Sequence, residues 1–519
     1  MTGFCKYFFN KSLPYVIAVL SSVLLSNSVF CQTRTEGFYK DLFMDGGVNL
    51  TSRTSLPAAD SLGLSMEYIA TSYITVQSSV MISNDYDANG VLLYPDGEPR
   101  FRVIYTNGGS ATSHGESLGE SGRQIIRTYF NNGGSYTGSC AGAFISSLGT
   151  STELSSGSSR VGYYHLWPGY ACSTGQSDIR TGHFIIEDSP LLQYYDFGGD
   201  NYVRDVYHNG GCYAYEPNMP TGTEILARYD YPSSAQMHLN ASVWAYKDGD
   251  NSEEGRLVVT GSHPEGISSG ERLDLMSAIL QYALEGVGEN HIKSELSNRR
   301  TRIMDKSTED NDPAYTKIGD RQYHHFIVNL PEETTSLTLS VSGDDRYDLF
   351  LYVNPGDFAF NSNALYKDIT EGANKEMVLY NLPEGTYYVS VECNTTVTAM
   401  ESSEYFEYIS NLEVLNGVAY SIRAEWSGPN SINELDETDL KIYPNPFTEH
   451  ITLYVDNNFM VEEVAILDIF GKLMSVQKVD KPSGYITIRE GLDLPPGIYY
   501  LRIRSANKVY VKKIVKVAD

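Results

Sequence analysis

The chain has 519 residues and carries 38 Lys and Arg against 65 Asp and Glu, a net charge of −27. That length accommodates about three or four domains, and a composition 41% hydrophobic and 12% aromatic supplies enough apolar surface for their cores, which excludes global disorder. The acidity argues against nucleic acid or an anionic bilayer as a partner, six cysteines are too sparse for a disulfide scaffold, and no period of 20–50 residues marks a solenoid or propeller.

Residues 1–31 have the makeup of an export signal. Lys6 and Lys11 supply positive charge, 13–25 is apolar, and 26–31 is short and semi-polar. The apolar run is short for a membrane span, and no later stretch could cross a bilayer. Phe30 before Cys31 argues against a lipoprotein signal. Cleavage after Cys31 leaves Cys140, Cys172, Cys212 and Cys393 in a soluble, exported chain.

Across residues 35–290 the pattern alternates between strand and helix. "GFYKDLFMDGG" reads as a strand, "SLPAADSLG" as a short helix, "SMEYIA" as a strand, and "RFRVIYTNGG" as a buried strand stopping at Asn107, Gly108 and Gly109. Between the last two lies a polar stretch with strand-like "YITVQSSVMI" and "GVLLYP", in keeping with a hairpin insertion or with further sheet strands. Ile125, Ile126, Tyr129 and Phe130 are spaced for one helical face. "SYTGSCAGAFISSLG" predicts a strand, a sharp turn at 138–142 and a helix, and "GRLVVTGSHPEG" predicts a buried strand ending at Ser262, His263, Pro264 and Glu265. "SGERLDLMSAILQYALEG" predicts a long helix. This rhythm predicts an α/β domain with a doubly wound sheet, whose ligands bind beyond the carboxyl ends of the strands.

The 138–142 turn carries the expected chemistry. A strand-to-helix turn this tight holds Cys140 in a strained backbone and needs small neighbours, which Gly138, Ala141 and Gly142 provide. The following helix places its positive end under the sulfur and favours the thiolate. The Ala141 N–H can hold an oxyanion, with Gly109 as second donor. His263 is expected as general base and then general acid, and Glu265, two residues on, as the group that orients its ring.

"GGSYTGSCAGAF" together with "GSHPE" resembles the class I glutamine amidotransferase-like superfamily, and within it the branch named after the N-terminal domain of some biotin-protein ligases. The resemblance implies a flavodoxin-like fold with a nucleophile elbow and a triad of Cys140, His263 and Glu265. It also implies an oxyanion loop at Asn107, Gly108 and Gly109, and a glycine turn near the site mouth at 207–211. Nothing in the chain resembles an ATP-using synthetase, and export removes it from cytoplasmic ATP and biotin. Ammonia transfer and biotin ligation are therefore not expected.

Residues 160–215 are expected to carry specificity, with Tyr163, His165, Trp167, His183, Tyr207 and Asn209 either as a pocket wall for a peptide or sugar-like ligand or as the ordinary packing of a loop-rich cap. His165, His183 and His208 lack zinc-ligand spacing, so no metal and no cofactor is expected. Cys172 and Cys212 are the candidate disulfide in an oxidising compartment.

Residues 291–320 alternate charges and read as a linker. From 321 to 426 strands such as "YHHFIVNL", "TSLTLSVSG", "YDLFLYV", "KEMVLYNL" and "GTYYVSVE" predict an antiparallel β-sandwich. "HHFIVNLPE", "SGDDRYDLFLYV" and "NLPEGTYYVSVE" resemble the bacterial pre-peptidase C-terminal domain, which implies that Asp345 and Asp348 are the positions near calcium where a member binds it; a solvated acidic turn is the alternative. A linker at 427–439 precedes a second all-β domain at 440–519 with a basic last strand bearing Lys508, Lys512, Lys513 and Lys516. "YPNP", "DIFGKLM" and "GIYYLRI" resemble the C-terminal sorting domain of type IX secretion cargo, which implies passage through the periplasm and outer membrane, secretion machinery as a partner, and a secreted or surface location.

The function expected is a secreted cysteine hydrolase of amide or peptide bonds acting through an acyl-enzyme. Two alternatives stay open: a binding module on the same fold without turnover, and a glutaminase-like hydrolase of small amides.

Overall fold

The computed structural model describes residues 36–45, 53–68, 90–152, 157–249, 251, 253–307, 312–332, 334–401, 406–427, 440–455, 461–479, 484–488, 494–505 and 508–518. The export signal, the strand-like 73–82 segment and most of the 427–439 linker lie outside them. The chain divides into two compact units. The first comprises Met1–Asn329, Leu339–Met377 and Thr386–Ala424, and the second Leu330–Thr338, Val378–Gly385 and Glu425–Asp519.

The first unit opens with a mixed sheet. Its strands are β1 (Lys40–Met44), β2 (Met66–Tyr68), β3 (Phe101–Thr106), β4 (Ser135–Ser139), β5 (Ser147–Ser151), β6 (Ser158–Ser159), β7 (Trp167–Ser173), β8 (Ile179–Ile185), β9 (Tyr202–His208), β10 (Cys212–Ala214), β11 (Thr223–Asp230), β12 (Ala241–Tyr246) and β13 (Leu257–Thr260). The order is β2-β1-β3-β4-β13-β12-β10-β7-β5-β6, with β11, β8 and β9 branching from β12. Strands β2, β1, β3, β4 and β13 run parallel, whereas β12 joins β13 antiparallel. All six β3 residues are buried, as a strand covered on both faces requires. Leu42, Val103, Tyr105 and Val258 pack with Leu275 and Ile279 of the helix Glu271–Leu284. The helix Gly119–Asn131 buries Ile126, Tyr129 and Phe130, and Tyr129 donates to the carbonyl of Phe101 at 2.9 Å. "GVLLYP" is a turn-rich segment with one bridge, Leu93 to Pro99.

Two expectations are corrected here. The 160–215 region is not a loop-rich cap: β7 to β10 build it into the sheet, and Tyr163, Tyr164, Trp167 and Tyr213 are buried, Trp167 against Trp244 at 5.4 Å. Cys172 and Cys212 are free thiols. On the antiparallel pair β7 and β10, Cys172 faces Tyr213 and Cys212 faces Ser173. That one-residue offset sends the two side chains to opposite faces of the sheet.

The β-sandwich consists of a five-stranded and a four-stranded sheet. Part of the stretch expected as linker belongs to it, because Ile292–Glu295 pairs parallel with Tyr323–Leu330 and Thr301–Met304 pairs with Tyr420–Ser427. Asp345 and Asp348 accept backbone N–H bonds from Ala373 at 3.1 Å and Gly372 at 2.8 Å. Within the first unit the segment 90–100 fastens sandwich to α/β sheet. Arg100 makes a two-pronged pair with Asp320 at 3.1 and 3.0 Å, each side chain 1% exposed. Asp96 accepts from Lys293 and from Gln322 at 2.6 Å; burial opposes its charge, but Lys293 and His324 hold the carboxyl well below the usual range.

In the second unit the tail forms a three-stranded and a four-stranded sheet. Phe447, Leu453, Ile466, Leu501 and Ile514 belong to its core. Among the described residues no helix is long and apolar enough to cross a membrane.

Candidate functional site

Three neighbouring parallel strands bring the sequence-marked residues to one sheet edge. Thr106 of β3 lies opposite Gly138 of β4, and Ser139 of β4 opposite Thr260 of β13. The segments that follow, 107–109, Cys140 and 261–265, therefore emerge side by side. Cys140 sits between β4 and the helix Ala141–Ser146 with φ 51° and ψ −101°, a conformation that costs a non-glycine residue about 1–3 kcal/mol. Its N–H is held by the Thr260 carbonyl at 2.9 Å. The flanking glycines are required by space. A Cβ on Gly138 would lie 2.7 Å from the Gly142 carbonyl carbon, and one on Gly142 would lie 2.1 Å from the Thr106 oxygen.

His263 is fixed from three sides. Its backbone N–H donates to the Tyr207 carbonyl at 2.8 Å. Its Nδ1 lies 2.8 Å from Glu265 Oε1. Gly108 packs against the ring so closely that a Cβ there would stand 2.4 Å from Cε1. Burial works against a charged ring, but hydrogen bonds and charge from Cys140 and Glu265 outweigh it and push His263 up to about 10. Cys140 is 6% exposed, and its sulfur faces the Asn209 carbonyl at 3.6 Å.

The oxyanion candidates lie at the same edge, Ala141 at the start of its helix and Gly108 and Gly109 on the 107–109 loop; the first turn of a helix leaves N–H groups without intrahelical partners. Of the six pocket residues expected from sequence, Tyr207 and Asn209 reach this place. The Tyr207 ring is 5.7 Å from that of His263. Of the others, Trp167 donates to Thr223 at 2.9 Å, His165 contacts the Arg160 carbonyl at 2.9 Å, Tyr163 is buried, and His183 is buried behind the site with Nε2 3.2 Å from Ser262 Oγ.

Sequence reasoning missed a buried group beneath the 107–109 loop. Asp45 Oδ2, at the end of β1, accepts from Thr106 at 2.8 Å and Tyr164 at 3.1 Å and lies 3.1 Å from His114 Nε2. The one available signal was an acidic residue at a strand end in "FMDGG". Sequence reasoning gave Ser262 a place at a strand end but no role, and it missed Thr174. A cleft of about 630 Å³ lined by Phe38, Tyr323 and Phe360 opens near the start of β1, away from this site. Among the described residues no group of three or more His, Cys, Asp or Glu side chains is gathered to hold a metal.

Residues 441–517 match the family described as secretion system C-terminal sorting domain, which supports a secreted or surface-associated location. No curated protein matches the chain. Among solved structures, it is similar to PorZ, a surface component of the type-IX secretion system of Porphyromonas gingivalis, at 16% identity over 15% of this chain and 11% of that one, TM-score 0.13. It is similar to the pre-peptidase C-terminal domain of a Bacillus anthracis collagenase at 11% identity, over 27% of this chain and 100% of that one, TM-score 0.16. A β-D-glucuronidase of Dictyoglomus thermophilum matches at 10% identity over 37% and 36%, TM-score 0.17. These TM-scores are too low to bear on fold or function, and the chain spans only small parts of PorZ and the glucuronidase.

Proposed function

We propose that this protein is an exported cysteine hydrolase of amide or peptide bonds. Cys140 is the nucleophile, His263 the general base and then acid, and Glu265 the group that orients and stabilises the imidazolium. The observation that carries this reading is the contact of His263 Nδ1 with Glu265 at 2.8 Å, on the segment that follows β13, the strand that lies beside β4 and holds the Cys140 N–H through the Thr260 carbonyl at 2.9 Å. The parallel order β2-β1-β3-β4-β13 and the positive φ of Cys140 support a flavodoxin-like sheet with a nucleophile elbow. Attack of the thiolate on a carbonyl carbon forms the tetrahedral intermediate, with its oxyanion toward Ala141 and the 107–109 loop. His263 then protonates the leaving amine, and water, deprotonated by His263, releases the acid. The sorting-domain match supports export, and we extend it to passage through the periplasm and outer membrane by machinery that reads the tail.

The test is hydrolysis of a panel of peptides and small amides by the full chain and its Cys140→Ala variant. Turnover that the variant loses supports the reading. Turnover unchanged by Cys140→Ala refutes it.

A further inference from the structure

Behind His263, residues that the proposed reaction does not use form a directional hydrogen-bond chain. Thr174 Oγ1 donates to the Gly211 carbonyl at 3.0 Å, so it meets His208 Nε2, 2.7 Å away, as an acceptor. That fixes His208 as the Nε2–H tautomer with Nδ1 free to accept. Ser262 Oγ lies 3.0 Å from this Nδ1 and 3.4 Å from the Tyr229 hydroxyl, and its proton points to Nδ1, the nearer acceptor. His183 Nε2, 3.2 Å from Ser262 Oγ on its other side, completes the chain as donor. Both imidazoles are fully buried. Burial holds them neutral, lowering His183 to about 3 and His208 to about 4, with the neighbouring His263 adding to the effect on His208.

The chain joins two pieces of backbone that matter at Cys140. Ser262 precedes His263, while His208 and Gly211 belong to the 207–211 turn whose Asn209 carbonyl stands 3.6 Å from the Cys140 sulfur. That carbonyl occupies the approach to a thiol only 6% exposed. It accepts from the thiol. Gly211 fits only as glycine, since a Cβ would lie 1.8 Å from the Gly261 oxygen, so the turn seats closely on the end of β13.

We propose that Thr174, His208 and Ser262 are positioning residues that latch the 207–211 turn over Cys140, and that releasing the latch uncovers the thiol for substrate. The inference rests on Cys140 as the nucleophile and deepens that reading: the form described here is closed, and an amide substrate enters by displacing the Asn209 carbonyl. No charged side chain takes part in the latch; its hydroxyl and imidazole bonds add to the backbone bonds of the turn, from the Thr174 N–H to the Gly211 carbonyl at 3.0 Å, the Gly210 N–H to the Gln176 carbonyl at 2.7 Å and the His263 N–H to the Tyr207 carbonyl at 2.8 Å.

The experiment is iodoacetamide labelling of the full chain, followed site by site by peptide mass spectrometry. Cys172, Cys212 and Cys393 are buried and report general opening. Thr174→Val keeps the shape and removes the hydroxyl; it is expected to raise Cys140 labelling about fivefold, the effect of losing one neutral hydrogen bond, while the other three stay protected. Thr174→Ser, which restores the hydroxyl, is expected to label as the unaltered chain does. Cys140 labelling unchanged by Thr174→Val, equally raised by Thr174→Ser, or rising in step with Cys172 and Cys212 overturns the proposal. Should Thr174→Val fail to fold, Ser262→Ala breaks the chain at its other end and is judged by the same outcomes. His263→Ala separates the two readings. If it leaves labelling unchanged while Thr174→Val raises it, the triad falls and the latch stands.

Discussion

Replacing Glu265 by Gln keeps a hydrogen-bond acceptor for His263 Nδ1 and removes the negative charge 2.8 Å away. A rise of His263 from 6.5 to about 10 favours the imidazolium by roughly 5 kcal/mol, shared between Glu265 and Cys140 against the opposing effect of burial. Losing one opposite charge at this range lowers a titration midpoint by about 1–3 pH units, so His263 in Glu265→Gln should titrate between about 7 and 9. The assay compares iodoacetate with iodoacetamide at Cys140 across pH. A neighbouring imidazolium speeds reaction of the anionic reagent relative to the neutral one, so the rate ratio follows the charge on His263. In the unaltered chain the ratio should stay high through pH 8.5 and fall as pH nears 10; in Glu265→Gln the fall should move down into the 7–9 interval. The folded value lies above the unfolded one, so this contact stabilises the fold fully below about pH 6.5 and loses its contribution as pH rises toward 10. A ratio that already falls near pH 6.5 in the unaltered chain, or profiles that coincide in the two proteins, would refute the reasoning.

Three further outcomes are expected. Gly108→Ala must displace the His263 ring, since its Cβ would stand 2.4 Å from Cε1; Cys140 labelling should drop at least about tenfold with little change in circular dichroism, and unaltered labelling would count against the site. Asp320→Ala leaves Arg100 charged and buried and should lower the unfolding free energy by about 3–5 kcal/mol, measured by urea denaturation; a loss below about 1 kcal/mol would mean that the pair contributes little to fastening the sandwich. Ending the chain before Leu440 removes the matched sorting region and should keep the protein from the medium and cell surface in fractionated cultures of a host with a type IX secretion system; undiminished delivery would dismiss the sorting role.

The periodic elements were legible because their signals are local. The β3 strand, the 138–142 turn and the helix Glu271–Leu284 all follow from apolar spacing and glycine placement within a few residues. The nearness of Cys140 and His263, 123 positions apart in the chain, was legible for a different reason: parallel strands that end at one edge deliver their following residues together. The 160–215 region was misjudged because its strands are held by partners far along the chain, β7 by β5 and β10, and β8 by β11. A polar, aromatic segment gives little sign that distant partners will order it.

The sequence by itself determined the two-part order of an α/β region followed by all-β regions, the small residues that a positive φ at Cys140 requires, and the sorting tail. Each is written in neighbouring residues, where chain geometry acts directly. Only the tertiary structure decided which histidines are buried neutral, that Cys172 and Cys212 point to opposite faces of the sheet, and that Thr174 and Ser262 close a hydrogen-bond chain behind the site. Those depend on strand register and burial: a one-residue change in pairing turns a side chain to the other face, and loss of water sets the charge that a ring can keep.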